Sequence, residues 1–284
     1  MAISDAMATA LLFLKIQEKI QSLPKPLLER LLSLSDSLIY ESRLVLEDCF
    51  ERMIGDSPGD WLDYHGIFLK KQAKVGKERY LSTDFAKNIS LLGLEERPEQ
   101  QKFASLMEEA MKNSQPNFLQ AQAGLGKTYG YLLPLLAHCQ EKIVVSVPTK
   151  ILQDQIAAGE GKAIEKVFQI AFHSLKSPKS YIKLDAFFQS LERLDDNRLL
   201  NRCKMQLLVW LTETETGDLE EIGQAHRYQA FFEDLGHDGQ LSKKSLFYGV
   251  DFWQIGQEKA RESRVLLTNH AYLLTRLEDD KSLI

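Results

Sequence analysis

Residues 120–136 read QAQAGLGKTYGYLLPLL, and the order of small, charged and apolar residues in this stretch decides the fold class. Ala121 to Thr128 fit the phosphate-loop pattern G-x-x-x-x-G-K-[ST], with Ala121 in place of the first glycine. A chain that wraps a polyphosphate must turn tightly and present consecutive backbone N–H groups, which a Cβ obstructs; Gly124 and Gly126 remove that obstacle. Lys127 sets a point charge against the β- and γ-phosphates, and Thr128 offers a hydroxyl to a Mg²⁺ that keeps most of its waters. Asn117 to Gln120 precede the loop as a short extended run, and Tyr129 to Ala137 follow it at helical apolar density, with Pro134 as a kink. The expectation is a strand feeding a helix whose N-terminal dipole faces the phosphates of ATP.

Outward from the loop the texture repeats. Arg97 to Lys112 reads as helix, Lys142 to Val147 as strand, the run after Pro148 as helix, and Arg264 to Thr268 as a further buried strand. Such alternation implies an α/β fold with a parallel sheet and crossover helices. Residues 157–263 are mostly helical and polar and read as an insertion, leaving 89–156 and 264–284 as the two parts of one α/β lobe. Toward the start, Ile3, Ala6, Met7, Ala10, Leu11 and Leu14 recur at helical spacing, so 1–22 reads as a helix with one apolar face. Residues 23–88 read as a connector: one helical stretch from Leu27 to Met53, then a strand or hairpin whose polar face carries Lys70, Lys71, Lys74 and Lys77.

Composition narrows the function classes without choosing one. Of 284 residues, 44% are apolar and 26% charged, ordinary for a globular protein, and 35 basic against 40 acidic residues leave a net charge of −5. Any nucleic-acid contact must therefore come from local basic patches. Cys49, Cys139 and Cys203 stand far apart with no C-x-x-C pair, and read as reduced thiols in a cytoplasmic protein with no membrane segment and no signal peptide.

Several stretches taken together resemble the XPD/DinG family of superfamily 2 DNA helicases. "RPEQQKF", Arg97 to Phe103, is similar to the family segment in which a glutamine, here Gln100, reads the adenine edge; the alternative is a surface helical residue. "VVSVPTKILQDQI", Val144 to Ile156, resembles the motif that meets the backbone of single-stranded DNA, with Thr149 and Lys150 as the matching residues, or else Thr149 is a helix cap and Lys150 a solvated charge. "RVLLTNHAYLL", Arg264 to Leu274, looks like the Asn-His stretch that precedes the family's acidic box, although Asn269 and His270 could equally end a buried strand. The resemblance implies a RecA-like helicase lobe, ATP with Mg²⁺ as cofactors, and single-stranded DNA as partner.

Within the insertion, "LKSPKSYIK", Leu175 to Lys183, is similar to the family segment that supplies an iron–sulfur cysteine, but no cysteine stands there, so the chain resembles the cluster-free branch. Lys176, Lys179 and Lys183 around Tyr181 either steer and stack a single strand or form a solvated lysine loop. "WLTETETGDLEEI", Trp210 to Ile222, is also similar to family members and suggests no chemistry. At the other end, "AISDAMATALL", Ala2 to Leu12, resembles the last motif of DEDDh 3′–5′ exonucleases, with Asp5 matching a metal-binding carboxylate, or else an N-terminal helix acid. The expectation is a central stretch of a DinG-like exonuclease–helicase, beginning inside the nuclease motif and stopping before the acidic box, with Asp279 and Asp280 outside any apolar strand. Its rivals are a nucleotide-binding accessory to an exonuclease and an unrelated phosphate-loop module.

Overall fold

The computed structural model describes residues 2–53, 55, 59–72, 81–113, 115–193, 197–223 and 228–279. Lys74, Lys77 and Asp280 lie outside the described residues. Along the chain come α1 (Ala2–Gln21), α2 (Lys25–Leu34), α3 (Ser42–Glu51), β1 (Trp61–Tyr64), β2 (Ile67–Lys70), α4 (Phe85–Leu91), α5 (Pro98–Ala110) and α6 (Lys127–His138). β3 (Ile143–Val147), α7 (Lys150–Ile156), α8 (Lys162–Phe168) and β4 (Phe172–Ser174) follow, then α9 (Leu184–Glu192), α10 (Arg198–Trp210) and α11 (Gln229–Leu235). α12 (Phe252–Glu262), β5 (Val265–Asn269) and α13 (His270–Asp279) close the described chain. Two compact units result: Met1–Ala73 with Pro178–Trp253, and Lys74–Ser177 with Gln254–Ile284.

The second unit is α/β. Its sheet runs β3-β5-β4, with both pairings parallel, and Val145 opposite Leu267 and Ser146 opposite Thr268 in register. β5 is buried at all five positions, which is why it reads as an unbroken apolar run rather than an alternating one. Val145, Val147, Val265 and Leu267 enter one core with Leu132 and Leu133 of α6. Each fully buried side chain of this kind contributes about 1.5–3 kcal/mol.

Four expectations need correction. The run Asn117 to Gln120 is not a paired strand: Phe118 is 97% exposed, because four residues acquire strand structure only from a ladder partner, and none of the described residues supplies one. The stretch from Leu27 to Met53 is two helices, not one. Ser35 and Ser37 turn their hydroxyls back onto the Leu32 and Leu34 carbonyls, and Tyr40 and Glu41 adopt left-handed backbone with φ of 55° and 56°, which stops α2 short of α3. The helical insertion is also narrower than 157–263, since α8 and β4 belong to the α/β unit, where β4 pairs with β5. Finally, residues 23–73 are no mere connector. β1 and β2 form an antiparallel hairpin fixed to the first unit, where the Lys70 N–H donates to the Leu211 carbonyl at 3.3 Å and the Trp61 indole to Thr212 at 3.3 Å.

α1 forms as expected, but Met7, Leu11, Leu12 and Leu14 face solvent, with Met7 64% and Leu12 62% exposed. No helix among the described residues is long and apolar enough to cross a membrane.

Candidate nucleotide-binding site

The turn before α6 has the geometry of an anion cradle. Gly124 and Gly126 take φ of 78° and 82°, the left-handed region that glycine enters without steric cost. A Cβ on Gly126 would also stand 2.3 Å from the Gln100 amide nitrogen. The α6 ladder begins with the Gly130 N–H donating to the Gly126 carbonyl at 3.1 Å, so the N–H groups of Lys127, Thr128 and Tyr129 are left as first-turn donors. Among the described residues, no acceptor takes the backbone N–H of Ala123, Gly124, Leu125 or Gly126. Converging donors at a helix N-terminus are what a phosphate group needs.

Side chains brace the loop from below. Gln100, 5% exposed, donates its amide to the Gly126 carbonyl at 2.9 Å, and the Arg97 guanidinium donates to the Gly124 carbonyl at 3.3 Å. The bond to Gly126 uses one amide hydrogen of Gln100; its second N–H and its carbonyl oxygen are the donor and acceptor that an adenine edge would take. Lys127 folds back, with Nζ donating to the carbonyls of Gln122 at 2.7 Å and Ala121 at 3.3 Å. Burial, joined by the Glu160 carboxylate, pushes Tyr131 up to about 12, against a hydrogen bond with Thr128. The phenol therefore stays neutral beside the Thr128 hydroxyl. These residues fit a nucleotide phosphate and, through Thr128, the Mg²⁺ that accompanies it.

At the carboxyl ends of the parallel strands the sequence-read residues are also gathered. Thr149 caps α7, accepting the Leu152 N–H at 3.2 Å, and exposed Lys150 is the first helical residue. Asn269 accepts the Tyr272 N–H at 3.0 Å and donates to Gln153 at 3.1 Å. Gln153 itself is fully buried and donates to Ser174 and to the Leu175 carbonyl, each at 3.0 Å, so it locks β4 and β5 to α7. Sequence reasoning missed Gln153 and also Ser146, whose hydroxyl lies 2.7 Å from His270 Nδ1. Ser146 is a single polar residue in an apolar strand and Gln153 is one of several polar residues in α7, so no pattern marks either one.

The lysine loop of the helical unit is different from expectation. Tyr181 is 3% exposed, with its ring 5.4 Å from that of Trp253, so it is core and offers no face for a base. Lys183 is paired with Asp238 at 2.6 Å, while Lys179 is exposed. In the α/β unit, buried Lys176 is paired with Asp154 at 2.7 Å. Burial pushes the Cys203 thiol up to about 11, so it is protonated as it stands. Asp5 is exposed in the first turn of α1, and the described residues hold no group of three or more His, Cys, Asp or Glu side chains able to bind a metal.

Residues 97–213 match the family model of the DEAD/DEAH box helicases. The chain is 30% identical over 290 residues to the 3'-5' exonuclease DinG of Staphylococcus saprophyticus, covering 97% of this chain and 31% of that protein. The chain is DinG-like. Its α/β unit is a RecA-like lobe, built on a parallel three-stranded sheet. The 3'-5' exonuclease DinG of Bacillus subtilis is 30% identical over 96% of this chain, and that of Staphylococcus aureus 28% over 95%; each is covered to 31% of its length. The chain thus spans about a third of the DinG relatives it matches.

Proposed function

We propose that this chain is the ATP-binding part of a DinG-like helicase that acts on single-stranded DNA in repair or replication in the cytoplasm. The observation that carries the reading is the turn from Ala121 to Thr128, with Gly124 and Gly126 in left-handed backbone at the N-terminus of α6 and Lys127 Nζ held on its Gln122 carbonyl. Mg²⁺, when bound with the nucleotide, neutralises the phosphate oxygens; Thr128 is the residue that would hold it. Thr149, Lys150 and Lys179 are the proposed DNA contacts, and the absence of an iron–sulfur cluster belongs to the same reading. Binding is the activity this reading assigns to Lys127 and Thr128; positioning the attacking water in hydrolysis is the task of a carboxylate that the reading does not assign.

Calorimetric titration with Mg-ATP tests the proposal. The wild type binds, and Lys127→Ala weakens binding by about 2–3 kcal/mol, the scale of a lost charge-assisted contact. Equal affinity in the two proteins would remove the site. DNA-stimulated ATP turnover that Lys127→Ala abolishes would overturn the restriction to binding.

A second reading makes the helicase-like part a DNA- and nucleotide-binding accessory to an exonuclease. It is favoured by the name borne by the relatives and by the position of Asp5, which this reading takes as one carboxylate of a nuclease metal site.

A further inference from the structure

At the carboxyl ends of β3 and β5 stands a pair that the nucleotide chemistry does not use. Ser146 Oγ lies 2.7 Å from His270 Nδ1; the imidazole is exposed and opens α13, and the serine is the half-buried penultimate residue of β3. Open parallel sheets bind their ligands outside these strand ends. A second observation marks the same place. Thr268 is the register partner of Ser146 and shares its face of the sheet; it is 2% exposed, and its hydroxyl has no hydrogen-bond partner among the described residues. Leaving such a group unpaired costs about 1–3 kcal/mol, so an incoming oxygen that recruits it is favoured.

We propose that Ser146, Thr268 and His270 form a contact for a phosphodiester of single-stranded nucleic acid, continuing the line of Thr149 and Lys150. The inference rests on the DNA-binding reading given above. When the Ser146 hydroxyl donates to Nδ1, the imidazole proton is held on Nε2, and the exposed edge of the ring becomes a fixed donor. His270 is then the binding residue and Ser146 the positioning residue, with Thr268 as a further hydroxyl behind them. The N-terminus of α13, which His270 opens, adds its dipole. No base edge is engaged, so the contact raises affinity without reading sequence.

Fluorescence anisotropy of a labelled oligothymidylate on the full chain tests this, with Mg-ATP affinity followed in the same variants. His270→Ala weakens DNA binding about ten-fold, the effect of losing a hydrogen bond to a charged oxygen. His270→Gln, which keeps an N–H donor, retains most of the affinity; Ser146→Ala loses part of it, and Ser146→Thr restores it. Imidazole nitrogen NMR finds the His270 proton on Nε2 in the wild type and shared between both nitrogens in Ser146→Ala, a change that a purely structural serine does not cause. Mg-ATP affinity is unchanged throughout. If Lys150→Ala weakens DNA binding while His270→Ala does not, the contact is wrong and the DNA reading stands. If the wild type binds no oligothymidylate, the DNA reading itself fails. Loss of Mg-ATP affinity in His270→Ala would assign the pair to nucleotide phosphate and overturn the proposal.

Discussion

Two polar, glycine-bearing turns in this chain look alike as sequence and behave as opposites. The turn at Ala121–Gly126 leaves its N–H groups without protein acceptors among the described residues, and a Cβ on Gly124 would meet nothing within 4 Å. The turn within Trp210–Ile222 engages nearly everything it has. Glu221 accepts from the Trp210 indole at 3.0 Å, from Thr214 at 2.8 Å and from the Thr216 hydroxyl. Thr214 in turn accepts the N–H of Gly217 at 3.0 Å, and the Gly217 carbonyl takes the Ile182 N–H at 2.9 Å. A turn whose donors are all answered from within is architecture; one whose donors face outward awaits a ligand. That difference gives the Trp210–Ile222 motif a role as the brace of the helical unit, where composition suggested none.

The comparison is broken most directly at the glycines. Gly217 has φ of 69°, and a Cβ there would lie 2.2 Å from Phe252 Cγ and 2.6 Å from its Cβ, atoms too near the backbone to swing away. Gly217→Ala therefore combines left-handed strain with overpacking and should cost about 3 kcal/mol or more. Gly124→Ala, at φ of 78° in open space, carries the strain alone, about 1–2 kcal/mol. Urea denaturation of both variants measures the contrast, and equal losses would mean that the two turns do not differ in kind.

A smaller effect follows from the carboxylate. Glu221→Ala leaves the Trp210, Thr214 and Thr216 donors without their common acceptor, yet Glu221 is exposed and water replaces part of what is lost. The expected cost is about 1–2 kcal/mol, read as a lower denaturation midpoint with unchanged Mg-ATP binding. A nucleotide affinity that fell in step with stability would contradict the assignment of this turn to architecture.

How far each turn was legible follows from where its partners lie. Lys127 and Thr128 were readable because the phosphate loop is contiguous, and its chemistry is written into eight successive residues. Glu221 was not, since its meaning lies in hydroxyls and an indole that only folding brings to it. Tyr181 was misread for the same reason: between Lys179 and Lys183 an aromatic ring reads alike whether it faces water or Trp253, and the tryptophan lies far along the chain. The run Asn117 to Gln120 has strand composition, but a strand is a property of a pair, and composition does not state whether a partner is at hand. Gln153 and Ser146 fall between these cases, polar residues whose weight comes from Asn269 and His270, far along the chain.

The least effect on stability is expected where the effect on binding is greatest. Lys127 Nζ donates to two loop carbonyls, contacts that water can replace on a turn open to solvent. Its charge also sits at the N-terminus of α6, where the helix dipole disfavours a cation by about 0.3–1 kcal/mol. The two terms oppose each other and are of similar size, so Lys127→Ala should leave folding stability within about 0.5 kcal/mol of wild type. The denaturation midpoint should accordingly stay in place, with an unchanged slope, in the same protein that has lost Mg-ATP. A loss as large as that of Glu221→Ala would show that Lys127 closes the loop as firmly as Glu221 closes the other turn. The open turn would then be a braced one, and its outward N–H groups would have to be explained by something other than a waiting phosphate.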